Sequence, residues 1–151
     1  MISIDKFRNL VANAPLITID FMIKNALGNI LLGKRVNKPA KGYYFTAGGR
    51  IFKNETIEEA IKRISLKELN FKLALKDLQF IGIFEQFFED SIFERVSLRS
   101  IDMVYEYQCD REFNLPTIEH NEYRFFSMDE IQHEDAVHPC VKEFFCEETC
   151  R

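Results

Sequence analysis

A pair of glycines followed by an amphipathic helix is the feature of this sequence that most constrains its fold. The glycines are Gly48 and Gly49, and a capping-box pattern, Thr56-x-x-Glu59, predicts that a helix begins directly after Thr56. At about 100° per residue, one face of that helix is an apolar stripe, formed by Ile57, Ala60, Ile61 and Ile64. Glu68 falls at the centre of the same stripe. A buried carboxylate is costly unless it is paired or binds a cation, so we interpret Glu68 as a functional acid.

Two other glutamates of this helix fit an ordinary exposed face. Glu58 and Glu59 each lie four residues before a basic residue, Lys62 and Arg63 respectively, which is the spacing of surface ion pairs on a helix. Arg63 has an alternative partner in Glu55, in the segment between the glycines and the helix. The sequence leaves open whether Arg63 pairs with Glu59 or holds Glu55 and braces that segment.

The rest of the chain predicts a sheet with helices inserted among its strands. Ser3 is placed to cap a short first helix. In residues 17–23, large apolar side chains then occupy every second position, which is typical of a strand. A turn at 25–29 joins this strand to 30–33 as a predicted hairpin. Further strands are predicted at 43–46, 80–87, 101–108 and 122–126, with a last helix at 139–148. This order favours an α/β (α+β) sandwich, a mixed β-sheet between α-helices, in a single domain spanning 1–151.

The composition supports one globular domain and excludes several classes of protein. The chain has 151 residues, of which 46% are hydrophobic and 29% charged, and its net charge is −4. Its basic residues form no block, so the sequence predicts no nucleic-acid partner and no anionic membrane surface. No apolar run approaches the roughly 20 residues of a membrane span, and the N-terminus lacks the pattern of a signal peptide. We therefore expect a cytoplasmic protein.

The aromatic and cysteine residues leave their roles open. The chain has 15 Phe, 5 Tyr and no Trp, which suits either a core rich in flat side chains or the surroundings of a flat ligand. Two Phe-rich segments, 84–88 and 125–126, fit a core, a stacked base or a subunit interface. The cysteines form no C-x-x-C pair, so reduced thiols are a better interpretation than a zinc site.

The residues around the helix carry a recognisable spacing. Gly49, Glu55, Arg63, Glu68 and Phe71 are separated as in the Nudix box, G-x5-E-x7-R-E-U-x-E-E-x-G-U, in which U is apolar. Three of the Glu and Gly positions of the box are replaced: an apolar residue replaces the first Glu after the Arg, a lysine replaces the first of the Glu pair, and an asparagine replaces the Gly. These departures are Ile64, Lys67 and Asn70.

The segments that flank the box narrow the resemblance. Matching positions are Pro15-Leu16, Asp20-Phe21, Gly28, Leu31-Leu32-Gly33-Lys34-Arg35, Asn37, Pro39-Ala40, Gly42-Tyr43, Leu115-Pro116, Glu119-His120 and Tyr123-Arg124. With them, nearly the whole chain is similar to the GDP-mannose mannosyl hydrolase branch of the Nudix superfamily, which carries the same kind of incomplete box.

This resemblance implies an enzyme that hydrolyses a GDP-sugar, GDP-mannose or a close relative, to GDP and the free sugar. In the family, water attacks the anomeric carbon with inversion and a His acts as general base; that position is His120 here. Arg35 and Arg50 are implied to stabilise the leaving diphosphate, to which the guanidinium fork is suited. Asp20, on the polar face of its predicted strand, is implied to bind sugar hydroxyls or to stabilise the cationic transition state.

The resemblance also implies a metal ion and a subunit partner. One Mg²⁺ is expected, with Mn²⁺ as the alternative ion, held by oxygen ligands. The implied protein ligands are the Gly48 carbonyl, Glu68 and Glu119, the last of which replaces a Gln of the family. Relatives in this branch are homodimers, so we expect a homodimer.

Further departures fall beside the glycines and on the expected sugar side. Ala47 stands where the family has Pro, so we expect a less rigid loop. Gln86 replaces a His, and Ile101 or a neighbour replaces a Tyr, so the sugar need not be mannose. Two other functions stay open: a Nudix pyrophosphatase that attacks phosphorus in a nucleoside diphosphate derivative, and a non-catalytic module that binds a nucleotide-sugar.

Overall fold

A mixed sheet of seven strands organises the computed structural model, which describes residues 2–146. The strands are β1 (Leu16–Lys24), β2 (Ile30–Arg35), β3 (Tyr44–Phe45), β4 (Ala47–Arg50), β5 (Gln79–Phe88), β6 (Leu98–Gln108) and β7 (His120–Phe126). Their main order is β3-β2-β1-β6-β5, with β4 paired to β1 and β7 paired to β2. β1 and β6 run parallel, and the other pairs are antiparallel.

The helices lie on both sides of this sheet. In the described part of the chain they are α1 (Ile4–Asn13), α2 (Ile57–Leu69), α3 (Met128–His133) and α4 (Pro139–Glu143). α2 begins directly after Thr56, as predicted, and both hydrogen bonds of its capping box form. Thr56 Oγ1 accepts from the Glu59 amide at 3.1 Å, and Glu59 Oε2 accepts from the Thr56 amide at 2.8 Å. Within residues 2–146, no helix has the length and apolar content needed to cross a membrane.

Each face of the sheet carries its own hydrophobic core. One core packs α2 against the sheet, with Ile61 and Phe21 among its fully buried members. The other core packs α3 and α4 against the opposite face, with Ile131 and Phe126 fully buried. Successive residues of a strand point to opposite faces, so β1 supplies Phe21 to the first core and Met22 to the second. The fold is therefore the predicted sandwich of a mixed sheet between helices.

The Phe-rich segments divide between the core and the surface. Phe84 and Phe126 belong to the core beneath α3 and α4, whereas Phe87 and Phe125 are 67% and 37% exposed. Two cysteines, Cys109 and Cys140, are buried thiols in the two cores, and Cys150 lies outside the described residues.

The strand pairing differs from two predictions, the hairpin of β1 with β2 and the loop at the two glycines. The turn at 25–29 does join β1 to β2, but the two strands pair only where Lys24 faces Ile30. β2 instead pairs with β7 over most of its length. Residues 47–50, predicted as a loop of reduced rigidity, form β4 and pair with β1 at four positions. The sheet therefore holds the backbone of the two glycines in place.

The last helix is shorter than the sequence predicts. α4 ends at Glu143, and the amides of 144–146 bond to carbonyls three residues back, which is a tighter turn than an α-helix makes. Residues 147–148 of the predicted helix lie outside the described residues. β6 also begins three residues before the predicted 101.

Two neighbouring phenylalanines on β7 test how much the core contributes to stability. Phe126 is 0% exposed and Phe125 is 37% exposed. We expect Phe126→Ala to lower the free energy of unfolding by about 3–5 kcal/mol, because it leaves a cavity in a closed core. Phe125→Ala, the control on the same strand, should cost about 1 kcal/mol or less. Urea unfolding followed by circular dichroism measures both, and equal losses would contradict the described core.

Candidate functional site

Two adjoining cavities open beside the glycines of β4. The first cavity, of about 490 Å³, is bordered by α1, β4 and α2. The second cavity, of about 330 Å³, extends from β4 toward the ends of β5 and β6. Residues that line both include Arg35, Gly48, Arg50, Lys67 and Glu119. A ligand that filled both cavities would therefore cross a strip where two arginines meet a glutamate.

The structure brings six of the seven predicted site residues to the walls of these cavities. Glu68 lines the first cavity and Asp20 the second, and the others line both. His120 lines neither cavity. Its ring is buried against Glu68, with 3.7 Å between His120 Nδ1 and Glu68 Oε2.

Glu68 is a buried acid without a strong basic partner. Its exposure is 5%, and among residues 2–146 no Lys or Arg forms an ion pair with it. Burial raises the pKa of Glu68 to about 7, and the charge of Glu119 adds to the rise, while Lys67 and Arg35 oppose it. The position of Glu68 in the apolar face of α2 follows the sequence pattern. A bound cation would relieve the cost of ionising it there.

His120 is the most buried of the predicted site residues. Its exposure is 2%, and neither ring nitrogen has a hydrogen-bond partner among residues 2–146. Burial, followed by the charge of Arg35, lowers the pKa of His120 to about 4, so the ring is neutral near pH 7. Gly33 of β2 makes room for it, because a Cβ at Gly33 would lie 2.7 Å from the His120 Cβ. Buried polar atoms are seldom left unpaired, so a partner from a ligand or water is expected here.

Glu119 and Lys67 face each other across the mouth of the first cavity. Glu119 Oε1 lies 3.8 Å from Lys67 Nζ, and Asn37 Nδ2 donates to Glu119 Oε2 at 3.5 Å. Lys67 is the residue that stands where the box has a glutamate. It therefore partly neutralises the second carboxylate of the site instead of adding a third.

The oxygen groups present fit a metal site that a substrate must complete. Glu68 and Glu119 are close enough for the charge of Glu119 to raise the pKa of Glu68, and Gly48 lines both cavities beside them. Among residues 2–146, no group of three or more His, Cys, Asp or Glu is placed to hold a metal ion. Two carboxylates and a backbone carbonyl suit a hard cation that keeps water and takes substrate oxygens.

The two arginines are held in place with their guanidinium groups available to an anion. Arg35 donates from Nε to the Pro39 carbonyl at 2.7 Å, and its terminal nitrogens have no hydrogen-bond partner within residues 2–146. The Arg50 guanidinium lies between the rings of Phe7 and Phe52, 4.7 and 4.6 Å from their centroids. Burial, followed by the charge of Arg63, lowers the pKa of Arg50. Stacking fixes the plane of a guanidinium while leaving its N–H edge free.

Arg63 braces the segment before α2, which decides between the two alternatives that the sequence leaves open. Its Nε and Nη2 donate to the Glu55 carboxylate at 2.6 and 2.8 Å, and Nη2 also donates to the Arg50 carbonyl at 2.7 Å. The hydrogen bonds from Arg63 hold the pKa of Glu55 below its usual range. Glu58 pairs with Lys62 on the exposed face, at 3.5 Å, as predicted.

Asp20 lies in a buried polar cluster, not on a wet face of β1. It is 6% exposed, and its Oδ1 accepts from Thr46 Oγ1 at 2.9 Å. Its diagonal neighbour on β6 is Asp102, which is 0% exposed. Burial, and then the charge of Asp102, raise the pKa of Asp20. The predicted polar face was wrong because β1 is covered on both sides of the sheet.

Asp102 is a member of this cluster that was not predicted from the sequence. It sits in β6 between Ile101 and Met103, and an acid inside an apolar strand was a signal of the same kind as Glu68 in its apolar helix face. Gln86, noted only as a departure from the family, joins Asp102: its Nε2 donates to Asp102 Oδ2 at 3.3 Å. β5 and β6 pair so that both side chains point to the face that bears Asp20.

The departures from the box have local structural reasons. Ile64 is 1% exposed, and a Cβ at Gly49 would lie 3.4 Å from it, so this position packs α2 against β4. Asn70 ends α2 with φ +55°, the left-handed conformation for which the box has Gly. Asn tolerates this conformation better than most residues, and its Nδ2 donates to the Asn114 carbonyl at 2.6 Å.

Comparison with known proteins agrees with this geometry. The family model described as the NUDIX domain matches residues 15–147. The chain belongs to the NUDIX family. This Nudix chain is 32% identical over 141 residues to the "Low-salt glycan biosynthesis protein Agl8" of Haloferax volcanii, covering 93% of this chain and 86% of that protein.

Solved structures support the same Nudix fold. A MutT protein from Methanosarcina mazei superposes with a TM-score of 0.71 at 21% identity, covering 88% of this chain and 92% of that one. A MutT NUDIX hydrolase from Burkholderia pseudomallei has a TM-score of 0.69 at 19% identity, with coverages of 87% and 96%. The NUDIX domain of Shewanella oneidensis NrtR, complexed with ADP ribose, has a TM-score of 0.65 at 14% identity, with coverages of 95% and 96%. At these levels of identity, the similarity shows the Nudix fold and does not identify the substrate.

The brace made by Arg63 can be tested against its exposed neighbour. Arg63→Ala leaves Glu55 and the Arg50 carbonyl without their donor, so we expect the free energy of unfolding to fall by about 2 kcal/mol. Lys62→Ala removes only an exposed helix pair and should cost about 0.5 kcal/mol or less. Chemical unfolding measures both variants. Similar losses for the two would show that Arg63 acts as a surface residue.

Because the pKa of Glu68 is raised, we expect the free energy of unfolding of the metal-free protein to depend on pH. Between the ordinary value of 4.5 and the folded value of about 7, the folded state binds more protons at Glu68 than the unfolded state. Stability therefore falls as pH rises through this window. His120 acts in the opposite direction, since its pKa is lowered to about 4.

The contribution of Glu68 is isolated by comparison with Glu68→Gln. In the presence of a chelator, we expect the variant to gain stability over the wild type as pH rises from 5 to 8, values chosen to span the window. Thermal unfolding at a series of pH values measures the difference. A constant difference across the series would mean that Glu68 is ionised normally in the folded state.

Proposed function

We propose that the protein is a Mg²⁺-dependent hydrolase of a GDP-sugar, which releases GDP and the free sugar by water attack at the anomeric carbon with inversion. The observation that carries the proposal is the pair of Glu68 and His120: one buried helix glutamate beside a buried imidazole with no partner among residues 2–146. The sugar is supported further by the name of the Haloferax volcanii relative, which assigns that protein to glycan biosynthesis.

The two cavities suit the two ends of such a substrate. The strip shared by both contains Arg35 and Arg50, whose guanidinium groups fit a diphosphate. The second cavity contains Asp20, whose carboxyl suits sugar hydroxyls. In this arrangement the diphosphate crosses the strip and the glycosyl group enters the second cavity.

The metal-binding residues in this proposal are Glu68, Glu119 and, through its carbonyl, Gly48. Mg²⁺, or Mn²⁺ in its place, would take its remaining ligands from diphosphate oxygens and water, and when bound would neutralise charge on the leaving group. Glu119 is a carboxylate where the family has an amide. Its ion pair with Lys67 reduces the negative charge that it adds beside a diphosphate.

The reaction assigns one proton transfer to His120. The water oxygen forms a bond to the anomeric carbon, the bond from that carbon to the diphosphate oxygen breaks, and GDP leaves with the electron pair. The neutral His120 ring accepts the water proton. His120 lines neither cavity, so in this proposal the attacking water lies between the His120 ring and the strip that both cavities share. Arg35 and Arg50 stabilise the charge on GDP while the carbon gains cationic character.

The scarcity of helix carboxylates favours attack at carbon over attack at phosphorus. Most Nudix enzymes hold two or more ions with several helix glutamates, and this helix offers one such acid to the first cavity, beside Lys67. With fewer ions there is less charge to activate a water at phosphorus.

The proposal includes a homodimer. Exposed apolar side chains on the outer strand β5 support it: Phe80, Ile83 and Phe87.

Product analysis tests the site of attack. The protein is incubated with GDP-mannose and other GDP-sugars, with Mg²⁺, in ¹⁸O-labelled water. We expect GDP and a free sugar that carries the label at its anomeric carbon. GMP with a sugar phosphate, and label in phosphate, would show pyrophosphatase chemistry instead. Binding of GDP-sugars without any turnover would indicate a non-catalytic module.

Variants then assign the roles within the site. His120→Ala should lower kcat by about 10²–10⁴-fold, the usual contribution of a general base, and Glu68→Gln should also lower kcat and weaken Mg²⁺ dependence. Glu58→Gln, on the exposed face of the same helix and paired with Lys62, is the matched control and should keep wild-type activity. Full activity of His120→Ala would remove the base from this proposal.

A further inference from the structure

Asp102 is the centre of the buried polar cluster behind the second cavity. Its Oδ1 accepts from Thr18 Oγ1 at 2.7 Å, and its Oδ2 accepts from Gln86 Nε2 at 3.3 Å. Thr18 lies opposite Asp102 in the pairing of β1 with β6, so Asp20, the next residue on that face of β1, is a diagonal neighbour of Asp102. Ser100 Oγ extends the chain by donating to Gln86 Oε1 at 2.7 Å.

The partners of Asp102 line the second cavity, while Asp102 itself does not. Thr18, Asp20, Gln86 and Ser100 all contribute to the cavity wall. Asp102 is 0% exposed and has no ion pair with a Lys, Arg or His among residues 2–146. Burying a second acid beside Asp20 without a base is unfavourable for the fold. Its hydrogen bond with Gln86 fixes the orientation of that side chain, and its carboxyl lies next to Asp20, which also faces the cavity.

We propose that Asp102 is a positioning residue for the glycosyl group, holding Asp20 and Gln86 as a fixed pair of hydrogen-bonding groups in the floor of the second cavity. This inference rests on the proposed function, because it needs a hydroxyl-bearing group joined to the diphosphate. Asp102 acts through the two residues and does not touch the substrate.

The chemistry of the floor matches a polyhydroxylated ring. Asp20 Oδ1 accepts from Thr46, and no donor among residues 2–146 bonds to its Oδ2. One N–H of Gln86 is used by Asp102, and the other has no partner among residues 2–146. A sugar hydroxyl both donates and accepts, so an acceptor and a donor held side by side recognise the direction of hydroxyls on one edge of the ring. The apolar walls around them, which include Phe45, Phe88 and Leu98, exclude water from that edge.

The experiment compares Asp102→Asn with the wild type on two readouts that separate the sugar from the nucleotide. The first is kcat/KM for the GDP-sugar that the wild type hydrolyses best, and the second is the inhibition constant of GDP. We expect kcat/KM to fall by about tenfold or more, which corresponds to the loss of about one well-placed hydrogen bond. The inhibition constant of GDP should change by less than about twofold, because the diphosphate sites are untouched.

The ratio of kcat/KM for two epimeric substrates separates a positioning role from a structural one, because a loss of stability alone would not change this ratio. The wild-type ratio of kcat/KM for GDP-mannose over GDP-glucose, whose sugars differ at one hydroxyl, should shift toward one in Asp102→Asn. Thr18→Val removes a donor to Asp102 and should shift the ratio in the same direction by less. It also keeps the inference testable should Asp102→Asn fold poorly.

Glu106→Gln is the matched control, with the same change of carboxylate to amide on the same strand. Glu106 pairs with Lys24 at 3.0 Å, outside both cavities, so both readouts should stay at wild-type values. If Asp102→Asn and Thr18→Val keep wild-type kcat/KM and epimer ratio, the inference is overturned while the proposed function stands. A parallel loss of GDP affinity would also overturn it. A wild type that hydrolyses no GDP-sugar overturns the proposed function, and this inference with it.

Discussion

The ion pair between Arg63 and Glu55 is the interaction on which the geometry of the site depends. By also donating to the Arg50 carbonyl, Arg63 ties the middle of α2 to the end of β4. That link sets where Glu68, five residues further along α2, stands relative to the glycines of β4. It also fixes the backbone from which Arg50 reaches its place between two rings. A single guanidinium thus aligns the acid of the site with one of its two anion-binding arginines.

The distribution of charge explains how a protein of net charge −4 can receive a diphosphate. The acids of the site are buried or paired, since burial raises the pKa of both Glu68 and Asp20 and Glu119 faces Lys67. The guanidinium groups of Arg35 and Arg50 line the walls of both cavities. The local potential at the shared strip is therefore more positive than the composition suggests.

Sequence patterns predicted the helices and strands more accurately than they predicted which segments of the chain lie against each other. α2 and its capping box follow from local signals, as does the burial of Glu68 in an apolar stripe. The pairing of β2 with β7 and the strand at 47–50 depend on contacts between distant segments, which no local pattern encodes. The same is true of Asp20: its strand alternates as a half-exposed strand does, but α3, α4 and their core cover the face that the alternation assigned to water. Asp102 had a local signal, an acid among apolar residues, yet its link to Gln86 and Asp20 required the strand register.

Gly48 and Gly49 are each required by packing, on opposite faces of the sheet. A Cβ at Gly48 would overlap the carboxylate of Asp20, so the absence of a side chain there makes room for the polar cluster of the second cavity. At Gly49 a Cβ would press on Ile64, so its absence lets α2 approach β4. Because successive strand residues face opposite sides, a single glycine would serve only one of these contacts. The pair is therefore what allows the helix with Glu68 and the cluster with Asp20 to border one continuous site through the same short strand.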